Sequence, residues 1–394
     1  MGWTCESRQE TRCEGRPKRP RWSTRDAQDR GRSARRLFGL VLSLATALSG
    51  APACAANSYD SAAGSAPLRW SFSLDSEVVD NLGGGIAPGS MGDHLARLNS
   101  RLDGAALGLP DGSRFHATFA RTQSGLPSAT RVGDSQSVSN IEAEARSRVY
   151  EFWYGQYVGK PWDVRAGLIA ADAHFDTVDS ASLLLNSSFG VQPTWSGNTV
   201  APIFPTAGVG IMATWRVGAW TNRAGIFQAD PADRASALRR GALLMDEVAY
   251  QGEGVYKLGV WSYRPHGPEE TVLSPPTWGT YFSADYPLGR GDGAPSAFLR
   301  AGWSPKVASA VGHDLQAGIL VPGPLRWRPR DQFSLGIARA DLRGLGVETA
   351  YEITYLVALS PHVSLQPDLQ YVNKPGGNLP SAVVANLRLH LEFD

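Results

Sequence analysis

Toward its C-terminus the chain alternates between apolar and polar residues with little interruption. Val383, Ala385, Leu387, Leu389, Leu391 and Phe393 fall on one parity, and Asn386, Arg388, His390 and Glu392 on the other. Just before them, Val363, Leu365, Leu369 and Tyr371 oppose Ser364, Gln366, Asp368 and Gln370. Neighbouring residues in a strand point to opposite sides, so each run places one face in an apolar medium and the other in water. A soluble sandwich and a membrane barrel both meet that demand.

A second stretch, 139–190, carries an aromatic hairpin. Residues 149–158 read VYEFWYGQYV and 164–170 read VRAGLIA, joined by Gly159-Lys160-Pro161-Trp162-Asp163. Simple alternation predicts Tyr150, Phe152 and Tyr154 on one face, with Glu151 and Arg165 on the other. Strands are also predicted over 70–79 and 113–121. From 210 to 393, further short runs recur between turn formers such as Asp230-Pro231 and Pro375-Gly376-Gly377. Spacing alone suggests about 14 to 18 strands. Residues 93–107 are ambiguous, because Leu95, Leu98 and Leu102 have a helix-like spacing. The glycines of Asn81-Leu82-Gly83-Gly84-Gly85 form a turn, without the Lys-Ser/Thr of a phosphate loop. A polar loop is expected over 122–139. A long irregular segment, 177–209, holds Trp195 and Phe204, and a connection of that length is usually functional.

Composition narrows the choice. Charged residues make up 19% and hydrophobic residues 42% of the 394. That is too dilute for a bundle of apolar helices and ordinary for a barrel with a wet interior. The net charge of +1 conceals a basic front. Residues 1–55 hold 11 Lys/Arg and 5 Asp/Glu, leaving the remainder at a net charge of −5, which gives no reason to expect nucleic acid as a partner. Residues 1–36 read as a disordered extension or a misassigned start. The apolar run 37–48 and the Ala53-Cys54-Ala55 site complete a secretory signal over 37–55. Twin-arginine export and a lipoprotein cysteine at Cys54 are weaker readings. Residues 56–69 form a short tail. Cys5, Cys13 and Cys54 all precede the expected cleavage point, so neither disulfides nor thiolate metal sites are expected in the mature chain.

The run Ser139-Asn140-Ile141-Glu142-Ala143, the aromatic hairpin, residues 167–175 and Asn186-Ser187-Ser188-Phe189-Gly190 with Pro193-Thr194 resemble the carbohydrate-selective, OprB-like porins of bacterial outer membranes. So do residues 348–355, 365–371 with Pro375-Gly376, and the glycine cluster at 83–85. These matches occur in the family's order between about 70 and 393. The resemblance implies an all-β transmembrane antiparallel barrel of sixteen strands over 70–393. It also implies an inward-folding constriction loop, for which 177–209 is the candidate, and favours a strand over 93–107. The function it implies is passive diffusion of small sugars across the outer membrane of a Gram-negative bacterium, in contact with outer-membrane lipid. No enzyme activity, cofactor or metal is expected, and the assembly is a homotrimer or a monomer.

Sugars are recognised by aromatic rings against their CH faces and by planar polar side chains. Glu142, Arg165 and Trp195 are therefore the candidate substrate-binding residues. Each has a plainer reading: Glu142 as a turn cap, Arg165 in an ion pair on the wall, Trp195 as loop packing. Asp172, His174 and Asp176 would share a face in an extended strand and could hold a cation. Glu142, Glu144 and Glu151 could in principle supply a glycosidase pair. The rival functions are a barrel enzyme acting on lipid or glycan, for which an outward Ser/His pair on adjacent strands would speak though the sequence shows none, and a structural or adhesive barrel.

Overall fold

The computed structural model describes residues 66–267, 275–291, 293–305 and 309–394. The extension 1–36, the signal segment 37–55 and most of the 56–69 tail lie outside them. The described chain forms sixteen strands. They are β1 (Leu68–Gly83), β2 (Gly89–Asp103), β3 (Ser113–Ser124), β4 (Arg146–Val158), β5 (Trp162–Ile169), β6 (Gly208–Val217), β7 (Trp220–Gln228) and β8 (Gly241–Gln251). The second half comprises β9 (Val255–Pro265), β10 (Thr277–Pro287), β11 (Ser296–Trp303), β12 (Val311–Pro322), β13 (Gln332–Leu342), β14 (Gly346–Ala358), β15 (Val363–Asn373) and β16 (Ala382–Phe393). Each strand pairs antiparallel with the next. β1 returns to β16, from Phe72 opposite Phe393 to Gly83 opposite Val383, and closes the barrel. Closure leaves no backbone edge unpaired in lipid, where each free amide or carbonyl costs several kcal/mol.

The alternation of β16 divides outside from inside. Leu387 is 42% exposed on the outer wall, whereas Asn386 is 4% exposed and faces the lumen. Aromatic side chains ring the outer wall at two levels. Trp162, Trp220 and Tyr250 lie toward the end that holds the termini, and Trp278, Trp303 and Tyr371 toward the other. On β10, Trp278 and Tyr286 are eight residues apart. At ~3.4 Å per residue and a tilt near ~40° this separates the belts by roughly 20 Å, about the height of a barrel's apolar band. Leu387→Arg therefore places a charge against hydrocarbon, at an expected cost of about 2–4 kcal/mol near the midplane. Asn386 instead donates to the Val138 carbonyl and to Asp368. Asn386→Arg should disturb the loop that carries Val138 while the barrel still forms. Heat-resistant compact migration on gels, lost for Leu387→Arg and kept for Asn386→Arg, checks this facing.

Two local expectations are corrected or decided. Residues 93–103 are strand, and the leucines do not share a face: Leu95 is buried inside, while Leu98 is exposed outside. Tyr150 is not on the face of Phe152. Thr118 pairs with Glu151 and Phe119 with Val149, so Tyr150 is the extra residue of a β-bulge. A bulge resets the parity of its strand. Tyr150 and Glu151 both turn inward, and Phe152 and Tyr154 remain outside.

The two ends of the barrel differ. At the end that holds the termini, the connections include 159–161, 218–219 and 252–254. The other end carries 125–145 and 170–207. Short turns face the periplasm and long loops the exterior in barrels of this kind, which orients the chain. Both long loops fold into the lumen, so the inward segment expected over 177–209 starts earlier and has a companion.

Candidate functional site

The lumen wall carries carboxylates, and most of them hold the two loops rather than water. From β14, Glu348 accepts the N–H groups of Ser135 and Gln136 at 2.8 and 2.9 Å. Glu352, also on β14, accepts those of Leu185 and Asn186. Asp314 of β12 takes Thr194 N–H at 3.0 Å, and Asp285 of β10 takes Ser180 N–H at 3.0 Å. Glu77 of β1 accepts from the Ser139 hydroxyl, and Glu151 of β4 from Ala170 N–H. Loop amides folded away from solvent need acceptors, and hydrogen bonds to charged groups are each worth about 1.5–3 kcal/mol.

The 170–207 loop has its own hub at Asp176. This residue is fully buried and adopts φ 59°, a left-handed conformation that Asp tolerates better than most. Its carboxylate meets Arg300 of β11 at 2.7 Å and accepts from Gln192 and from the Trp195 indole N–H at 3.0 Å. Its own N–H donates to Glu247 of β8. Trp195 sits in the short helix Pro193–Ser196 with no exposed surface, packed among Phe175, Phe227, Met245 and Trp261. Its ring fastens the loop to the wall and offers no face to a solute. The extended run that would align Asp172, His174 and Asp176 is also absent: 171–173 is a 3-10 turn, and Asp176 is committed to Arg300. Among the described residues, no group of three His, Cys, Asp or Glu is arranged to hold a metal ion.

Two cavities remain around the loops. The outer one, about 510 Å³, is lined by loop residues such as Gln136 and Ser187 and by Val311 and Leu342 near the long-loop end. The inner one, about 750 Å³, opens toward the short-turn end and is lined by Asn99, His116, Trp153, Arg165 and His390, among others. Asn140, Asp172, Gly190, Val191 and Phe204 line both. These five residues form the neck between outside and inside. Asn140 belongs to the first loop; its amide side chain donates to Leu184 O of the second loop and accepts from Arg388 of β16. The Phe204 ring stacks edge-on to Tyr150 at 6.1 Å, and its N–H donates to Asp172.

Arg165 lies inside, just below the neck. Asp163 bonds it at 2.9 Å, and its guanidinium rests over the Trp153 ring at 4.6 Å. Glu142 is on the first loop, accepting from Ser128 N–H and the Ser137 hydroxyl, as a turn cap would. The structure thus places Arg165 on the wall of the inner cavity and Glu142 and Trp195 among the loops' hydrogen bonds and packing. Phe204 is the aromatic at the neck. Its nearness to a bulged tyrosine on β4 has no signature in spacing.

Burial pushes the Asp172 carboxyl up to about 6, although the Phe204 N–H favours its charge. Tyr150 and Glu151 of β4 and Arg97 of β2 face it. Its folded value lies above the ordinary 3.8. Its share of loop seating is therefore fully present in acid and is lost as pH rises through about 6. The neck's charge follows the same titration. Lowering pH from 7 to 5 should move the reversal potential in a KCl gradient toward the anion. Asp172→Asn, which keeps an oxygen for Phe204 N–H, should start shifted and lose part of that response, the rest coming from neighbours such as Glu151 in the same cavity. An unchanged response in the variant assigns it to another group.

The family described as carbohydrate-selective porin, OprB, matches residues 93–393. Among solved structures, OprB of Pseudomonas putida at high pH is similar with a TM-score of 0.73 and 18% identity, covering 83% of this chain and 94% of that one. Its low-pH structure gives 0.57 and 17%, covering 83% and 93%. An engineered variant of the Rh. blastica porin gives 0.52 and 10%, covering 83% and 100%. At these identities the likeness is one of fold. No curated protein matches the chain. The family match, a closed sixteen-stranded barrel with two aromatic belts and a lumen narrowed by folded-in loops lead to one conclusion: this chain belongs to the carbohydrate-selective OprB porins, outer-membrane barrels of Gram-negative bacteria through which small sugars diffuse passively.

Proposed function

We propose that sugars cross at the neck formed by Asn140, Asp172, Gly190, Val191 and Phe204, and that passage involves no covalent step. The observation that carries this reading is that these five residues line both cavities. Phe204 supplies the ring against a sugar's CH face, and Asn140 and Asp172 supply polar contacts. Arg165 meets the solute immediately inside, while Glu142 and Trp195 act by holding the loops in place. Contact with each must stay weak, since a pore that holds its solute tightly does not conduct. Each barrel encloses its own neck, so a monomer suffices for transport and a trimer would repeat it.

The enzymatic alternative has one observation in its favour. On the outer wall, Ser76 Oγ lies 2.8 Å from His94 Nδ1 across β1 and β2. Among the described residues no acid orients that imidazole, and the neighbouring backbone amides pair in the β1–β2 and β1–β16 ladders rather than forming an oxyanion site. Glu142 and Glu151 spend carboxylate oxygens on loop donors.

The test is single-channel current with added glucose and maltose for wild type, Phe204→Ala and Arg165→Ala. Losing about 1 kcal/mol of ring contact should weaken sugar block about fivefold in Phe204→Ala. Arg165→Ala should weaken block with a smaller change in open current, because Asp163 keeps its bond to Arg114 at 2.6 Å. Unchanged block in both variants moves the selecting contacts elsewhere.

A further inference from the structure

The inner vestibule is more cationic than a neutral sugar requires. Seven arginines line it, among them Arg97, Arg165, Arg216 and Arg223. Its lining carboxylates, among the described residues, are Asp75, Glu151 and Asp172. Each already has a donor: His390 at 2.8 Å for Asp75, Ala170 N–H at 3.0 Å for Glu151 and Phe204 N–H at 3.1 Å for Asp172. Behind the surface, Asp163, Glu247 and Glu77 pair with Arg165, Arg223 and Arg388. Arg97 of β2 and Arg216 of β6 have no ion pair among the described residues, and both reach the cavity. The seven arginines outnumber these six carboxylates by one, and low-dielectric walls focus that positive field on a passing ion. His116, Trp153 and His174 line the same cavity, and among the described residues the buried Nε2 of His174 and Nε1 of Trp153 have no hydrogen-bond partner.

We propose that this vestibule makes the channel anion-preferring and extends its solutes to sugar acids, polyhydroxylated chains or rings that carry one carboxylate. The carboxylate matches a guanidinium fork, and the hydroxyls match the Asn99, Thr118 and Thr214 side chains on the same wall. A volume near 750 Å³ lies within the roughly 300–1,000 Å³ of small-molecule sites, large enough for a hydrated sugar acid. The arginines sit on several strands rather than around one point, so an anion is passed along the wall without being trapped.

This inference rests on the chain being a sugar-permeable pore, and the experiment separates the two. Purified, folded barrel in proteoliposomes is assayed for uptake of glucose and of sodium gluconate. In a planar bilayer its reversal potential is read in a KCl gradient, for wild type and for Arg97→Ala/Arg216→Ala. In wild type, chloride should be preferred over potassium severalfold and gluconate should enter at a rate comparable to glucose. The double variant removes two guanidiniums that make no ion pair among the described residues, and should lose at least fivefold in gluconate uptake while glucose stays within twofold. Glucose entry with gluconate excluded, or a cation preference in wild type, overturns the inference and leaves the sugar pore standing. Gluconate uptake unchanged in the double variant overturns the assigned cations. Failure of both solutes to enter through a folded barrel overturns the pore itself. The wild-type measurements decide the matter even if the double variant does not fold.

Discussion

Arg300→Ala is expected to release the 170–207 loop from the wall while leaving the barrel closed. The guanidinium is fully buried and carries several contacts at once: Asp176 Oδ2 at 2.7 Å, the carbonyls of Asp176, Ser188 and Phe189, and Gln316. Removing one partner of a buried pair leaves the other charge uncompensated, a loss of about 3–5 kcal/mol. That loss falls on the loop, because the β10–β11–β12 ladder is made by backbone groups that the substitution leaves in place. Single-channel conductance should rise severalfold and become noisy, and sugar block should fade, with heat-resistant migration retained. Arg300→Lys should rescue poorly, since one ammonium cannot span the same fork of acceptors. Wild-type conductance and block in Arg300→Ala would show that the loop is held elsewhere.

Trp195→Ala is the second large effect. Emptying a fully buried tryptophan site costs about 3–5 kcal/mol through lost contact and the cavity left behind. It also removes the indole donor from Asp176. The loop should open to exchange, so amide hydrogen exchange over 170–207 should accelerate by a hundredfold or more while strand amides stay protected. Trp195→Phe separates this anchoring role from a sugar platform. Phenylalanine refills most of the space, so conductance and block should stay near wild type with a modest gain in exchange. A sugar platform would instead lose block without any change in loop exchange.

The barrel itself was legible in the chain because its signal is local. The alternating faces of 363–371 and 382–393 and the turn residues pointed to about 14 to 18 strands, and the resemblance to porins implied the sixteen that form over about 70–393. What escaped depended on one residue too many or on distance along the chain. The bulge at Tyr150 is a single insertion against β3, invisible until the partner strand is known. The helix-like leucines of β2 were a coincidence of spacing that pairing overrode. A polar lumen face looks the same in sequence whether water or a folded loop covers it. Glu348 and Glu352 therefore give no sign in the sequence that they accept backbone amides from residues 135–136 and 185–186. The same ambiguity hid the inward path of 125–145. It also left Trp195 readable as a ligand platform, although its ring has no exposed surface.

The central claim is a sugar-permeable neck inside a closed barrel, and osmotic swelling of proteoliposomes tests it most directly. Liposomes containing the folded barrel are diluted into isotonic glucose, maltose or raffinose, with protein-free liposomes as reference. The proposed path leads to rapid swelling in glucose, slower swelling in maltose and little in raffinose, because it runs between Asn140, Asp172 and Phe204, which line both cavities. Swelling no faster than the protein-free reference in glucose, from barrel shown to be folded by its gel migration, would contradict the account.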